Sequence, residues 1–130
     1  VSIELNHTIV LSRDKHESAR FLADILGLEA GAPFGPFVPV ATGNGVTLDF
    51  MTVDEGEEFT PQHYAFLVSE EEFDGIFERI LRAGIDYWAD PTRKVPRQIN
   101  HNAGGRGVYF TDPGGHYLEV LTRPFGGGAR

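Results

Sequence analysis

Apolar and polar positions along this chain follow two periods, and the period switches in the same order twice. Leu5 to Leu11 alternates in the manner of a half-buried strand, with Leu5, His7, Ile9 and Leu11 on one side. From Asp14 the spacing lengthens. Ala19, Leu22, Ile25 and Leu26 share one face of a helix, Asp14 and Glu17 have the spacing of a capping box, and Gly27 is a stop. Phe34 to Ala41 is proline-rich and predicts an edge or irregular strand. Gly43-Asn44-Gly45 is a turn, Val46 to Thr52 a strand, and Asp54 to Glu58 an acidic linker.

The second half repeats the order. His63 opens an apolar run to Val68, as His7 opens the run Thr8 to Leu11. Ser69 and Glu72 have cap spacing, Phe73, Ile76, Phe77, Ile80 and Leu81 form a helical stripe, and Gly84 ends it. Ile85 to Trp88 predicts a short strand, Asp90 to Gly105 a long polar loop, Val108 to Thr111 a strand, and Asp112-Pro113-Gly114-Gly115 a turn. Tyr117 to Thr122 is the last strand. A short phrase recurs outright: Gly45-Val46-Thr47-Leu48-Asp49-Phe50-Met51-Thr52 against Gly115-His116-Tyr117-Leu118-Glu119-Val120-Leu121-Thr122. The chain therefore reads as one domain of two related β-α-β-β-β modules, about 1–56 and 57–125, followed by a flexible glycine-rich tail.

The repeat gives the polar strand residues their meaning. Each half carries a histidine early and an acid late, each among mostly apolar same-face neighbours. A carboxylate in such surroundings is costly unless paired or metal-bound. Two histidines and a carboxylate suit Fe(II), Mn, Ni or Zn and leave positions open for water or substrate. The alternative is that these are ordinary strand residues facing solvent. His16, among charged residues of the first helix, and His116, facing opposite to Glu119, are expected to be surface imidazoles. His101 in the long loop is placed to reach a substrate or is simply polar surface. Arg106 is suited to a substrate anion or to a nearby carboxylate. With Tyr117, these two are the candidate catalytic residues.

Composition narrows the function classes. Eleven basic residues against 19 acidic ones give a net charge of −8, the wrong sign for a phosphate-backbone binder or for an anionic membrane. Cysteine is absent, so disulfides and thiolate metal sites are excluded. No run approaches transmembrane length and no signal-peptide pattern opens the sequence, so a cytoplasmic location is expected. Gly104-Gly105-Arg106-Gly107 precedes a strand and not a helix, so it lacks the context of a phosphate loop. The four serines include no evident hydrolase nucleophile.

Over nearly its whole length the chain resembles the vicinal oxygen chelate superfamily, which includes glyoxalase I, extradiol dioxygenases, fosfomycin-resistance transferases and bleomycin-binding proteins. The likeness is carried by the His7 strand, Leu26-Gly27-Leu28, His63-Tyr64-Ala65-Phe66 and Tyr109-Phe110-x-Asp112-Pro113-x-Gly115-His116-x-Leu118-Glu119. It implies an α+β fold in which two βαβββ modules form a curled mixed sheet around a central cup. It also implies a divalent metal held by His7, His63 and Glu119. Asp49 falls where glyoxalase I has a fourth ligand, a glutamate one methylene longer. A homodimer with sites shared between chains is implied as well. The expected activity is that of a metal-dependent lyase or isomerase, ring-cleaving dioxygenase or thiol transferase whose small substrate chelates the metal through adjacent oxygens. The alternative is a dimeric binder that sequesters a drug or natural product among Phe34, Phe37, Tyr87, Trp88, Tyr109 and Tyr117.

Overall fold

The computed structural model describes residues 2–124. The expected flexible tail from Gly126 lies outside the described residues. The chain divides into two compact units, Val1–Thr60 and Pro61–Arg130. Unit 1 contains β1 (His7–Ser12), α1 (Lys15–Leu26), β2 (Phe37–Ala41) and β3 (Thr47–Thr52). Unit 2 contains β4 (His63–Leu67), α2 (Glu70–Ala83), a 3-10 turn (Asn102–Gly104), β5 (Gly107–Thr111) and β6 (Tyr117–Leu121).

The two units share one topology. Their three-stranded sheets are ordered β1-β3-β2 and β4-β6-β5. In each the first strand runs parallel to the last, and the last two run antiparallel, so both sheets are mixed. The remaining strand of each βαβββ module is reduced to a single bridge, Ala30 with Val40 in unit 1 and Trp88 with Tyr109 in unit 2. The strand expected over Ile85–Trp88 is thus only Trp88, which exchanges both backbone bonds with Tyr109. On its other edge Trp88 bridges Pro96, where the chain folds back on itself.

The helices begin and end where the local chemistry directs. Asp14 accepts from the backbone N–H of His16 and Glu17 at the start of α1. At α2 the box closes in both directions: Glu72 N–H donates to Ser69 Oγ, and Ser69 N–H donates to Glu72 Oε1. Both helices stop at a glycine in the left-handed region, Gly27 and Gly84.

Burial separates two faces of each sheet. In unit 1, Val10, Val38, Val40, Leu48 and Phe50 are buried, as are Ala19, Leu22, Ala23 and Ile25 of α1. In unit 2, Val108, Phe110, Leu118 and Val120 are buried, as are Phe73, Ile76 and Ile80 of α2. Arg106, which shares its side of β5 with Val108 and Phe110, lies over the Phe73 ring at 4.5 Å and so marks the α2 side. On the opposite faces Asp49, Tyr109 and Glu119 are buried as well, and exposure is confined to the outer strands. There Ile9 is 48% exposed and Leu67 56% exposed.

His116 is the clearest departure from expectation. It is not a surface imidazole but is fully buried. Its Nδ1 accepts from the Gln62 N–H at 2.9 Å, and its ring meets the edge of Tyr64 at 5.7 Å. Its own N–H donates to Asp112 Oδ1 at 2.8 Å, closing the Asp112-Pro113-Gly114-Gly115 turn. Burial raises the Asp112 carboxyl above its ordinary range, against the backbone N–H of His116 and the imidazole itself, which pull it down. The sequence pattern does place His116 opposite Glu119, and Tyr64, alternating with His63, shows why. What it hides is the depth of the turn.

The glycine-rich stretch before β5 also has a packing reason. A Cβ on Gly105 would meet Thr122 Oγ1 at 2.6 Å, and one on Gly107 would meet Asn100 Oδ1 at 2.8 Å. Asn100 cannot yield freely, since its side-chain NH2 donates to the Ala89 carbonyl and its Oδ1 accepts from Asn102 N–H. Gly107→Ala is therefore expected to lower stability by about 1–3 kcal/mol in urea denaturation. His116→Ala, which strands the Gln62 N–H and opens a void, should cost at least about 1–3 kcal/mol. His16→Ala, on the exposed side of α1, should stay within about 0.5 kcal/mol in the same assay.

Candidate metal centre

Strand order decides which polar residues are buried. The acids sit on the central strands, β3 and β6, flanked on both sides, and the histidines sit on the outer strands β1 and β4. Asp49 is 5% exposed and Glu119 4% exposed, while His7 and His63 are exposed. The registers match. His7 pairs with Thr47, two residues before Asp49, and His63 pairs with Tyr117, two residues before Glu119. All four therefore lie on the face of their sheet turned away from the buried helix side.

Within unit 2 the pair closes. His63 Nε2 lies 3.0 Å from Glu119 Oε1. Glu119 Oε2 is buried with no hydrogen-bond partner, and so is Asp49 Oδ1. A buried carboxylate oxygen left unpaired is costly, and a cation beside it removes the cost. Within unit 1, His7 Nδ1 lies 2.8 Å from Asn6 Oδ1. Among the described residues, no three histidines or carboxylates come close enough together to hold a metal. Of the four expected ligands, the structure brings His63 and Glu119 into contact.

A cavity of about 160 Å³ opens beside this pair, lined by His63, Trp88, Pro91, Arg93, Tyr109, Phe110, Thr111 and Tyr117. Tyr109 pairs with Glu119 across β5 and β6 and stacks on His63 at 6.1 Å between ring centres. Burial, reinforced by the Glu119 carboxylate, pushes its phenol up to about 12, so at neutral pH it is a hydrogen-bond donor. Trp88, Tyr109 and Tyr117 are wall residues of this cavity. Tyr87 instead packs edge-on against Phe77 at 5.2 Å, and Phe34 pairs with Phe37 at 5.5 Å in unit 1.

The other candidates stand apart. Arg106 is engaged by Glu70 and Asp74, each at 2.8 Å, and these carboxylates raise its pKa further; it fastens β5 to α2 and its charge is already answered. His101 is exposed, and its carbonyl starts the 3-10 turn by accepting from Gly104 N–H. Tyr117 does line the cavity. Arg93 and Tyr109 are wall residues that sequence reasoning did not single out as polar functional groups. Arg93 carried only the signal of a basic residue in a long loop. Tyr109 appeared only as a generic aromatic, because its pairing with Glu119 depends on strand register.

Comparison with known proteins agrees with this architecture. Residues 4–120 match the Glyoxalase/Bleomycin resistance protein/Dioxygenase superfamily model. The solved structure of the oxidase ChaP-H2 is 60% identical, with a TM-score of 0.93, covering 99% of this chain and 100% of that one. A glutathione transferase FosA from Serratia marcescens is 30% identical over an alignment of 123 residues that covers 89% of this chain and 78% of that protein. A fosfomycin-resistance protein FosX from Listeria monocytogenes, solved as a mutant in complex with Mn(II) and 1S,2S-dihydroxypropylphosphonic acid, shares the fold at 23% identity. Its TM-score is 0.69, covering 96% of this chain and 95% of that one. With its paired mixed-sheet modules and its family match over most of its length, this chain belongs to the glyoxalase/bleomycin resistance protein/dioxygenase superfamily.

Proposed function

We propose that this chain is a metal-dependent enzyme of the superfamily that oxidises a small molecule bound in the cavity beside His63 and Glu119, with dioxygen as the electron acceptor. The observation that carries the reading is the His63–Glu119 contact at 3.0 Å with the second Glu119 oxygen buried and unpartnered. The class of reaction follows the likeness to the oxidase ChaP-H2, at 60% identity over nearly the full length of both chains.

Imidazole nitrogen and carboxylate oxygen are a donor set for Fe(II), Mn, Ni or Zn. His63 and Glu119 would supply two ligands. His7, of this chain or of a second copy, would supply the third, and Asp49 is the candidate fourth. When bound, the metal supplies a Lewis-acid centre for adjacent substrate oxygens. The remaining work belongs to the protein. Tyr109 offers a phenolic O–H beside Glu119, the aromatic walls hold the substrate and exclude water, and the β4–β6 pairing keeps the imidazole and carboxylate aligned.

Mn(II) binding followed by electron paramagnetic resonance tests the ligand set without turnover. His63→Ala and Glu119→Gln should each weaken binding by about a hundredfold or more, since even outer-shell losses cost up to that much. His7→Ala should weaken it comparably, and His16→Ala should not. Equal retention of Mn(II) by all four variants would refute the assignment. A chain that binds no metal but binds an aromatic ligand tightly would be a sequestering protein instead.

A further inference from the structure

The loop after Trp88 is built more firmly than a connection requires. The Asp90 carboxylate accepts from Thr92 Oγ1 at 2.6 Å and from the backbone N–H of Lys94 at 2.9 Å and Val95 at 2.8 Å. Ala89 N–H donates to the Val95 carbonyl and Arg97 N–H to the Tyr87 carbonyl, closing the base of the loop. Within this frame Arg93 and Arg97 adopt positive φ, 58° and 56°. Arginine has no local side-chain bond that favours the left-handed region, as asparagine or aspartate has, so the frame imposes that conformation. The hydrogen bonds from Thr92, Lys94 and Val95 also hold Asp90 below the usual carboxylate range, keeping it ionised.

The braced loop delivers Pro91 and one charged side chain to the cavity. Arg93 lines it, and its guanidinium lies over the Tyr117 ring at 4.7 Å. Among the described residues no carboxylate pairs with this guanidinium, so its N–H donors are left for an oxyanion. Arg106, by contrast, is spent on Glu70 and Asp74. In a chain of net charge −8, a cation offered to a cavity is a specific attraction and not part of a general basic surface.

We propose that Arg93 is the specificity-determining residue of this cavity, binding an ionised oxygen of an anionic substrate, and that Asp90 is the positioning residue that sets Arg93 in place. The proposal rests on reading the cavity as the substrate site. It adds that the substrate carries a carboxylate or comparably acidic oxygen beyond those that would meet a metal.

Trp88 is the chain's single tryptophan and lines the cavity, so its fluorescence reports binding without turnover. Benzoate and its neutral isostere benzamide are the probes, titrated into chelator-treated protein. Wild type should prefer benzoate by about tenfold or more, the scale of one charge-assisted contact. Arg93→Gln should abolish the preference. Asp90→Ala should reduce the preference several-fold, and combining it with Arg93→Gln should add nothing, because Asp90 acts through Arg93. Mn(II) binding, measured on the same variants, separates this idea from the metal reading. Metal bound normally with no Arg93-dependent benzoate preference overturns the role of Arg93 alone. An Arg93-dependent preference in a chain that binds no metal upholds that role and removes the metal. Absence of benzoate quenching, or equal quenching by the two probes in wild type, also overturns the proposal.

Discussion

A buried carboxylate on the central strand of unit 2 sets the conditions for everything around it. Glu119 is enclosed by β4 on one side and β5 on the other, and water reaches almost none of it. An acid in that position needs partners. His63 supplies one at 3.0 Å, and the Tyr109 phenol, held protonated by burial and by Glu119 itself, is a neighbouring hydrogen-bond donor. The remaining oxygen is unanswered within the described residues.

Unit 1 carries the same design with a shorter acid. Asp49 occupies the register position of Glu119, equally buried, and His7 occupies that of His63. Asp49 Oδ1 is buried without a hydrogen-bond partner, as Glu119 Oε2 is, and His7 sits beside Asn6. The duplicated sheet thus presents one closed histidine–carboxylate pair and one open one. On the outer strands beside them, Ile9 and Leu67 stay accessible.

The connections of unit 2 show how backbone accounting builds a cavity wall. Trp88 bonds to Tyr109 of β5, and its neighbours Tyr87 and Ala89 bond to Arg97 and Val95 of the returning chain on either side of Pro96. Asn100 ties the loop to Ala89 and fits against Gly107 only because no side chain is there. Asp112 performs a similar service at the last turn by holding the His116 N–H. A long polar loop is thereby converted into a set of short, internally bonded turns. Its Asp90-braced portion holds Pro91 and Arg93 against the cavity.

Neighbouring residues alone were enough to reveal the duplication, the order of strands and helices, both glycine helix stops, and the four strand residues with metal-ligand chemistry. Side-chain period, cap chemistry and the repeated phrase are local properties, legible without knowing what packs where. Burial and contact between distant residues depend instead on register, and these emerged only on folding. Folding turned His116 from an expected surface group into a buried brace, reduced Ile85–Trp88 to one bridge, and committed Arg106 to the α2 carboxylates. It also brought Arg93 over Tyr117 and Tyr109 against His63 and Glu119. No spacing along the chain encodes which strand is central. That choice, made when β6 inserted between β4 and β5, is what buried Glu119 and left His63 at the cavity's edge.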